Sequence, residues 1–104
     1  MKRPKSLRVG PFDIAIVPMH EIHQATDLGN YAYDKHEIRL LDSYVNKKLE
    51  AEVLLHEVLH AVYSIYNIKD DDREERIVSI MATGLAQVLR DNRPFADWLR
   101  GSLK

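Results

Sequence analysis

Cysteine is absent from this 104-residue sequence. Its absence excludes disulfide bonds, thiolate metal sites and a cysteine nucleophile, and it is typical of a protein that works in a reducing compartment. Long apolar runs are also missing, since the most apolar stretch near the start, residues 14–17, is short and follows Pro11 and Asp13. We therefore expect neither a signal peptide nor a membrane-spanning helix, and a cytoplasmic location.

The sequence has no excess of one charge. It has 15 Lys and Arg against 16 Asp and Glu, a net charge of -1, so neither nucleic acid nor an anionic membrane is an expected partner. Basic residues do cluster at the start, with Lys2, Arg3, Lys5 and Arg8. We interpret residues 1–8 as a frayed basic terminus, with a phosphate-binding arm as the alternative.

The length predicts a single domain spanning residues 1–104, with a small core that a bound metal would help to stabilise. Residues 12–17 are rich in β-branched side chains and predict a strand. Residues 31–33 and 37–41 predict two further strands, joined by a hairpin turn at residues 34–36.

From Lys47 the period of the apolar residues becomes helical, and the helix should run to about Tyr66, with Asn67 as its cap. A second helix should begin at the acidic residues 70–72 and end near Asn92, and Pro94 should open a short third one. The short connection predicts that the first two helices pack antiparallel. The fold class is therefore α+β, with a small antiparallel sheet of about three strands packed on a helical hairpin. The apolar stripe of the first helix consists of Val53, Leu54, Val58, Ala61, Val62 and Ile65.

The chemistry is concentrated in His56-Glu57-Val58-Leu59-His60, within the first helix. Histidines four residues apart lie on one helix face, where both imidazoles can bind one Zn²⁺. Glu57 projects beside them and can reach a metal-bound water, which is the H-E-x-x-H arrangement of two ligands and a general base. We therefore predict one zinc ion per chain, bound by His56 and His60, with Glu57 catalytic.

A catalytic zinc site needs a third protein ligand. Glu74 and Glu75 are the candidates, since an antiparallel hairpin would return the second helix beside the first. Counting outward from the turn puts Glu75 slightly closer to the level of His60, whereas the helical wheel puts Glu74 on the apolar face. Either carboxylate can instead simply complement the dipole at the helix start.

The motif resembles the zincin superfamily, and within it the short gluzincin-like enzymes, including ImmA/IrrE-type and small phage-encoded metallopeptidases. The resemblance covers roughly residues 30–95 and includes Leu89-Arg90-Asp91-Asn92-Arg93-Pro94. It implies a strand hairpin, the motif helix and then a helix that supplies a glutamate. Glu75-Arg76-Ile77-Val78-Ser79 is similar to the gluzincin pattern E-x-x-[A/S]-[D/N], which favours Glu75 as third ligand over Glu74.

The resemblance implies a zinc-dependent metallopeptidase that acts on a peptide or protein, in the host cytoplasm if the chain is phage-encoded. The substrate can be a single regulatory protein. We expect the strand at residues 37–41 to be an edge to which an extended peptide adds. Two other hypotheses remain open: a non-catalytic module stapled by zinc, and a helical-hairpin interaction protein without metal.

Other polar side chains are less informative. Tyr63 lies one turn beyond His60, where it would either pack in the core, which we favour, or stabilise an oxyanion. His20, His23 and His36 fall in predicted loops or turns, and we interpret them as surface residues. They are the reserve candidates for the third ligand.

Overall fold

The computed structural model describes residues 2–19 and 28–104. The described chain forms a sheet followed by three helices, which confirms the predicted α+β class. Its elements are β1 (Ser6–Val9), β2 (Phe12–Pro18), β3 (Gly29–Ala32), β4 (Glu37–Leu40), α1 (Lys47–Ile65), α2 (Glu74–Asp91) and α3 (Arg93–Ser102).

The sheet is mixed, with the strand order β1-β2-β4-β3. The two outer pairs are antiparallel, but β2 and β4 run parallel, with Ile16 opposite Ile38. The predicted small antiparallel sheet of about three strands is therefore corrected in two details, the fourth strand and the parallel pair. The hairpin of β3 and β4 is present as predicted, but β4 inserts beside β2 and leaves β3 at the edge.

The first strand, β1, lies in the segment that the sequence analysis interpreted as frayed, so that interpretation is wrong for residues 6–8. Leu7 and Val9 alternate toward the core and are buried there. Two amide side chains from the end of α2 hold the outer edge of β1. The Asn92 Oδ1 accepts a 2.6 Å hydrogen bond from the Arg8 N–H, and the Asn92 and Gln87 amide groups both donate to the Arg8 carbonyl.

Helix α1 forms with nearly the predicted bounds because local signals fix both of its ends. The Asn46 side chain caps the start by accepting a 2.8 Å hydrogen bond from the Leu49 N–H. Asn67 has a φ of +59°, the left-handed conformation that typically follows a helix end. The apolar stripe packs on one face of the sheet; its buried members are Val53, Leu54, Val58, Ala61 and Val62.

Helix α2 begins at Glu74, later than predicted. Asp72 instead accepts a 2.7 Å hydrogen bond from the Lys69 N–H and closes a turn before the helix. The two long helices approach each other closely at Gly84, where a Cβ atom would lie 2.5 Å from the Val62 Cγ1. The last turn of α1 therefore contacts the middle of α2, and the helices do not pair residue by residue from the connection outward.

Helix α3 has Pro94 in its first turn and closes the core with Phe95 and Trp98, both buried. This confirms the predicted third helix, which is longer than a single turn. Among the helices of the described residues, none combines the length and the apolar character that crossing a membrane requires.

Candidate active site

An open cleft of about 470 Å³ lies between β3 and the exposed face of α1. Both predicted histidines and the predicted base contribute to it, so the structure brings His56, Glu57 and His60 together around one solvent-accessible space. The lining residues are Gly29, Asn30, Tyr31, Tyr33, His56, Glu57, His60, Tyr63 and Ser64.

The cleft depends on a close approach between β3 and α1. At Gly29 an added Cβ atom would lie 2.8 Å from the Val53 Cγ1, so no larger residue fits without displacing the strand from the helix. Since side chains alternate along a strand, Tyr31 lies on the same face of β3 as Gly29, toward α1. The absence of a side chain at Gly29 thus brings the following residues of β3 beside the motif helix.

The histidine pair has a geometry that suits one metal ion. His56 and His60 are exposed, and their Nε2 atoms lie 3.2 Å apart. Two nitrogen ligands at 2.0–2.1 Å from a tetrahedral Zn²⁺ are about 3.3–3.4 Å apart, so both Nε2 atoms can bind the same ion with little rearrangement. The rings are inclined at 72°, with centroids 4.8 Å apart.

Glu57 differs from the flanking histidines in being buried, with 6% of its surface exposed, while still lining the cleft. A buried carboxylate is shielded from bulk water, and its charge acts over a longer range there than it would at the surface. One effect is that it contributes to raising the pKa of the Tyr44 hydroxyl, for which burial is the largest cause. The position suits a group that exchanges protons inside the cleft.

Neither candidate glutamate lies beside the histidines in the described structure. Within residues 2–19 and 28–104, no third His, Asp or Glu completes a metal-binding group. Glu74 and Glu75 are exposed and do not line the cleft. Glu75 lies about 13.5 Å along α2 from Gly84, where the helix approaches α1. The level count in the sequence analysis assumed instead that the two helices pair from their connection outward. The assignment of Glu75, with Glu74 as its alternative, stays a prediction.

The reserve histidines add no ligand within the described chain. His36 packs against Phe12, with ring centroids 4.4 Å apart, and does not line the cleft. His20 and His23 lie outside the described residues.

Tyr63 lines the cleft and does not belong to the core cluster, so the prediction of core packing is wrong. Its hydroxyl donates a 2.7 Å hydrogen bond to the Asp70 Oδ1 in the connection between α1 and α2. This bond is the main reason that the pKa of Tyr63 is raised, and the nearby carboxylates of Asp71 and Asp72 add to it.

The sheet edge at the cleft is β3, and the prediction that residues 37–41 form the edge is wrong. Strand β4 lies inside the sheet between β2 and β3, so both of its sides are paired. The sequence analysis identified the hairpin but had no signal for which of its strands would pair with β2.

Two polar atoms of β3 were also missed. The Asn30 Oδ1 is buried, with no hydrogen-bond partner among the described residues. The Tyr31 hydroxyl oxygen is also buried, and Ser64 lies within its reach on α1. No feature of the sequence marks them, because their burial follows from tertiary packing around β3.

The cleft thus combines two imidazole ligands, a shielded carboxylate and the edge of a sheet. Such a combination can hold a divalent metal, accept a proton from water and bind an extended chain. Comparisons with protein-family models, with curated proteins and with solved structures found no match.

Proposed function

We propose that this protein is a zinc-dependent metallopeptidase. The observation that carries the proposal is the 3.2 Å separation of the His56 and His60 Nε2 atoms, with Glu57 in the same cleft. The resemblance of the motif to gluzincin-like enzymes supports it. A cytoplasmic location belongs to the same proposal and is supported by the lack of cysteine.

The residues of the chain divide the chemistry between them. His56 and His60 hold the metal, which when bound supplies an activated water and polarises the substrate carbonyl. Glu57 accepts a proton from the attacking water and delivers it to the departing amine. Its burial keeps bulk water from competing for that proton.

The substrate in this proposal is an extended peptide that pairs with β3 through main-chain hydrogen bonds. We further propose cleavage within a chain and not at its carboxyl terminus. A terminal carboxylate is usually bound by Arg or Lys. No residue that lines the described cleft is Arg or Lys, and residues 20–27 contain neither.

The alternative of a zinc staple is less well supported. A structural zinc is closed by four protein ligands and holds separate elements together. Here both histidines lie on α1, are exposed and face an open cleft, and within the described ranges no ligand from another element joins them.

Replacing Glu57 by Gln tests the proposal. Glu57→Gln should keep one zinc per chain, because Glu57 is not a ligand. It should also lose about 10²-fold or more of the hydrolysis of internally quenched peptides. Glu52→Gln, an exposed change on the same helix outside the cleft, is the matched control and should keep both. Loss of zinc in Glu57→Gln, or full activity, would contradict the assignment of Glu57 as general base.

A further inference from the structure

The outer face of helix α2 carries no charge over most of its length. Residues 77–89 contain no Asp, Glu, Lys or Arg, although 30% of the residues in the whole chain are charged. In a small domain the charged residues of a helix normally collect on the face that is turned away from the core. A long uncharged face on the outside of the molecule is instead typical of a contact surface.

An apolar stripe runs along this outer face. Its members are separated by four, three and four positions, the spacing of a seam between two helices: Val78, Ala82, Leu85 and Leu89. Val78 has 55% of its surface exposed to water and Leu89 has 37%. The stripe is separate from the buried side of the helix, which contains Gly84 and Val88 and lies on the opposite side of the helical wheel.

The two ends of α2 carry opposite charges beside this stripe. The first turn contains Glu74 and Glu75, and the last turn contains Arg90, whose side chain is 70% exposed. Arg90 bonds to the neighbouring Asp91, but the two residues differ in position. Arg90 borders the outer face, whereas Asp91 lies on the far side of the helix, where it accepts a hydrogen bond from the Gln87 amide.

A second copy of the same helix matches both the stripe and the charges. When two α2 helices pack antiparallel about a two-fold axis at Ala82, Val78 lies level with Ala86 of the other copy. Glu74 and Arg90 are each eight residues from Ala82, so the acidic first turn lies level with the basic last turn of the other copy. The small side chains of Ala82 and Ala86 let the helix axes approach closely.

Other occupants match the face less well. Helices that lie on membrane surfaces are rich in Lys and Arg beside their apolar face, whereas α2 begins with two glutamates. An unrelated protein would not require a surface that is complementary to itself under a two-fold rotation, which is the property of contacts between identical subunits.

We infer that two copies of this chain pair through the outer face of α2, antiparallel and centred on Ala82. The stripe from Val78 to Leu89 is about 16.5 Å long, so the contact is small and the dimer is transient. No residue that lines the described cleft lies on α2. The pairing therefore uses a surface separate from the candidate active site, and the inference does not depend on the proposed function.

The mass of the wild-type chain in solution is the first test. In sedimentation experiments it should rise from 12.1 kDa toward twice that value between roughly 1 µM and 1 mM, the range in which small contacts saturate. Ala82→Glu places two like charges at the axis and should keep the chain monomeric. Ser43→Glu adds the same charge at an exposed position outside α2 and should pair like the wild type. A monomeric wild type, or a dimer that persists in Ala82→Glu, would overturn the inference.

Single cysteines test the register, because the natural chain contains none. Ala82→Cys brings two thiols together at the axis and should form a disulfide-linked dimer under mild oxidation. Ala86→Cys is the matched control on the same exposed face: its two thiols would lie about 12 Å apart along the axis and should cross-link roughly tenfold more slowly or not at all. Mixing Ala86→Cys with Val78→Cys should restore rapid cross-linking. Equal rates for Ala82→Cys and Ala86→Cys would indicate parallel pairing or random collision and contradict the antiparallel contact.

A charge reversal tests the match between the helix ends. Arg90→Glu places an acid level with Glu74 and Glu75 of the other copy, at two symmetric positions, and should raise the dissociation constant of the dimer about tenfold. Arg100→Glu makes the same reversal in the last turn of α3 and should leave the dissociation constant unchanged. Equal dissociation constants for the two variants would remove the charge match that identifies a second copy as the partner, and would overturn the inference.

Discussion

Trp98 places a polar group in the core. Its side chain is 1% exposed, and within the part of the chain that the structure describes its Nε1–H has no hydrogen-bond partner. Burial of the large aromatic ring stabilises the packing of α3 on the two long helices, whereas the desolvated N–H opposes it by about 1–3 kcal/mol. These two contributions can be separated by substitution.

Trp98→Phe should therefore lower the free energy of unfolding much less than the size of the indole ring suggests. The smaller ring leaves a cavity worth about 1 kcal/mol, and removing the unpaired N–H offsets a similar amount. We expect the free energy of unfolding in urea to stay within about 1 kcal/mol of wild type. Trp98→Ala, the control, should lose about 3–5 kcal/mol. A loss in Trp98→Phe as large as in Trp98→Ala would mean that the indole N–H is bonded.

At the residue scale, sequence patterns reveal local chemistry and miss chemistry that tertiary packing creates. His56, Glu57 and His60 are predictable because one helix turn fixes their relation. The burial of the Tyr31 hydroxyl arises only when β3 lies on α1, which in turn depends on Gly29. That contact joins segments distant in sequence, so no local pattern records it.

Helices α1 and α2 pack closely at Gly84, which has no side chain to separate them. Gly84→Ala would gain helix propensity but place a Cβ 2.5 Å from the Val62 Cγ1, and β-branched Val62 has little rotamer freedom within a helix. We expect a net loss of about 1–3 kcal/mol in chemical denaturation.

Gly101→Ala is the matched control for that change. Gly101 also lies in a helix, but a Cβ there would meet nothing within 4 Å. The free energy of unfolding should rise by about 0.4–1 kcal/mol. Equal effects of the two substitutions would mean that the contact at Gly84 is loose.

The start of α2 holds the two candidate third ligands, and a chelator competition distinguishes them. Removing a metal-binding carboxylate should weaken zinc binding steeply, whereas removing one that complements the helix dipole should cost only about 0.3–1 kcal/mol of stability. We expect Glu75→Gln to weaken zinc binding and Glu74→Gln to leave it nearly unchanged.

The opposite ranking would assign the ligand to Glu74. Unchanged zinc affinity in both variants would remove both glutamates from the site and contradict the gluzincin-like ligand set. Because both residues are exposed, neither change should prevent folding.

Elements with signals inside their own sequence were predicted well, and those defined by partners were not. Helix α1 carries its stripe, its Asn46 cap and the left-handed Asn67, so its bounds were found within a residue or so. Strand β1 has only four residues and follows a basic segment, so the alternation of its inward Leu7 and Val9 is too short to predict a strand. The parallel pairing of β2 with β4 depends on how distant segments meet, which strand periodicity does not encode.

For the whole molecule, zinc binding and folding should be coupled. A ligand that binds only the folded state at a hundred times its Kd adds about 2.7 kcal/mol to the stability, which for a domain of this size raises the melting temperature by roughly 10 °C or more. We expect a chelator to reverse this shift in the wild type.

The variant in which both His56 and His60 are replaced by Ala is the control for that experiment. It should bind no zinc, so its melting temperature should be the same with and without chelator. Both histidines are exposed and lie outside the core cluster, so the substitutions themselves should change the stability little. Full zinc occupancy in the double variant would contradict the site assignment.

The two edges of the sheet differ in their capacity for self-association. Along β1, the Gln87 and Asn92 side chains occupy main-chain groups that a strand from another molecule would need. Strand β3 has no strand on its outer side within the described chain, and it borders the cleft. Two molecules that paired through β3 would therefore close each other's clefts. Under the proposed function, a high concentration of this protein would then reduce the hydrolysis rate per molecule, since the edge proposed to receive substrate is also the one open to self-association.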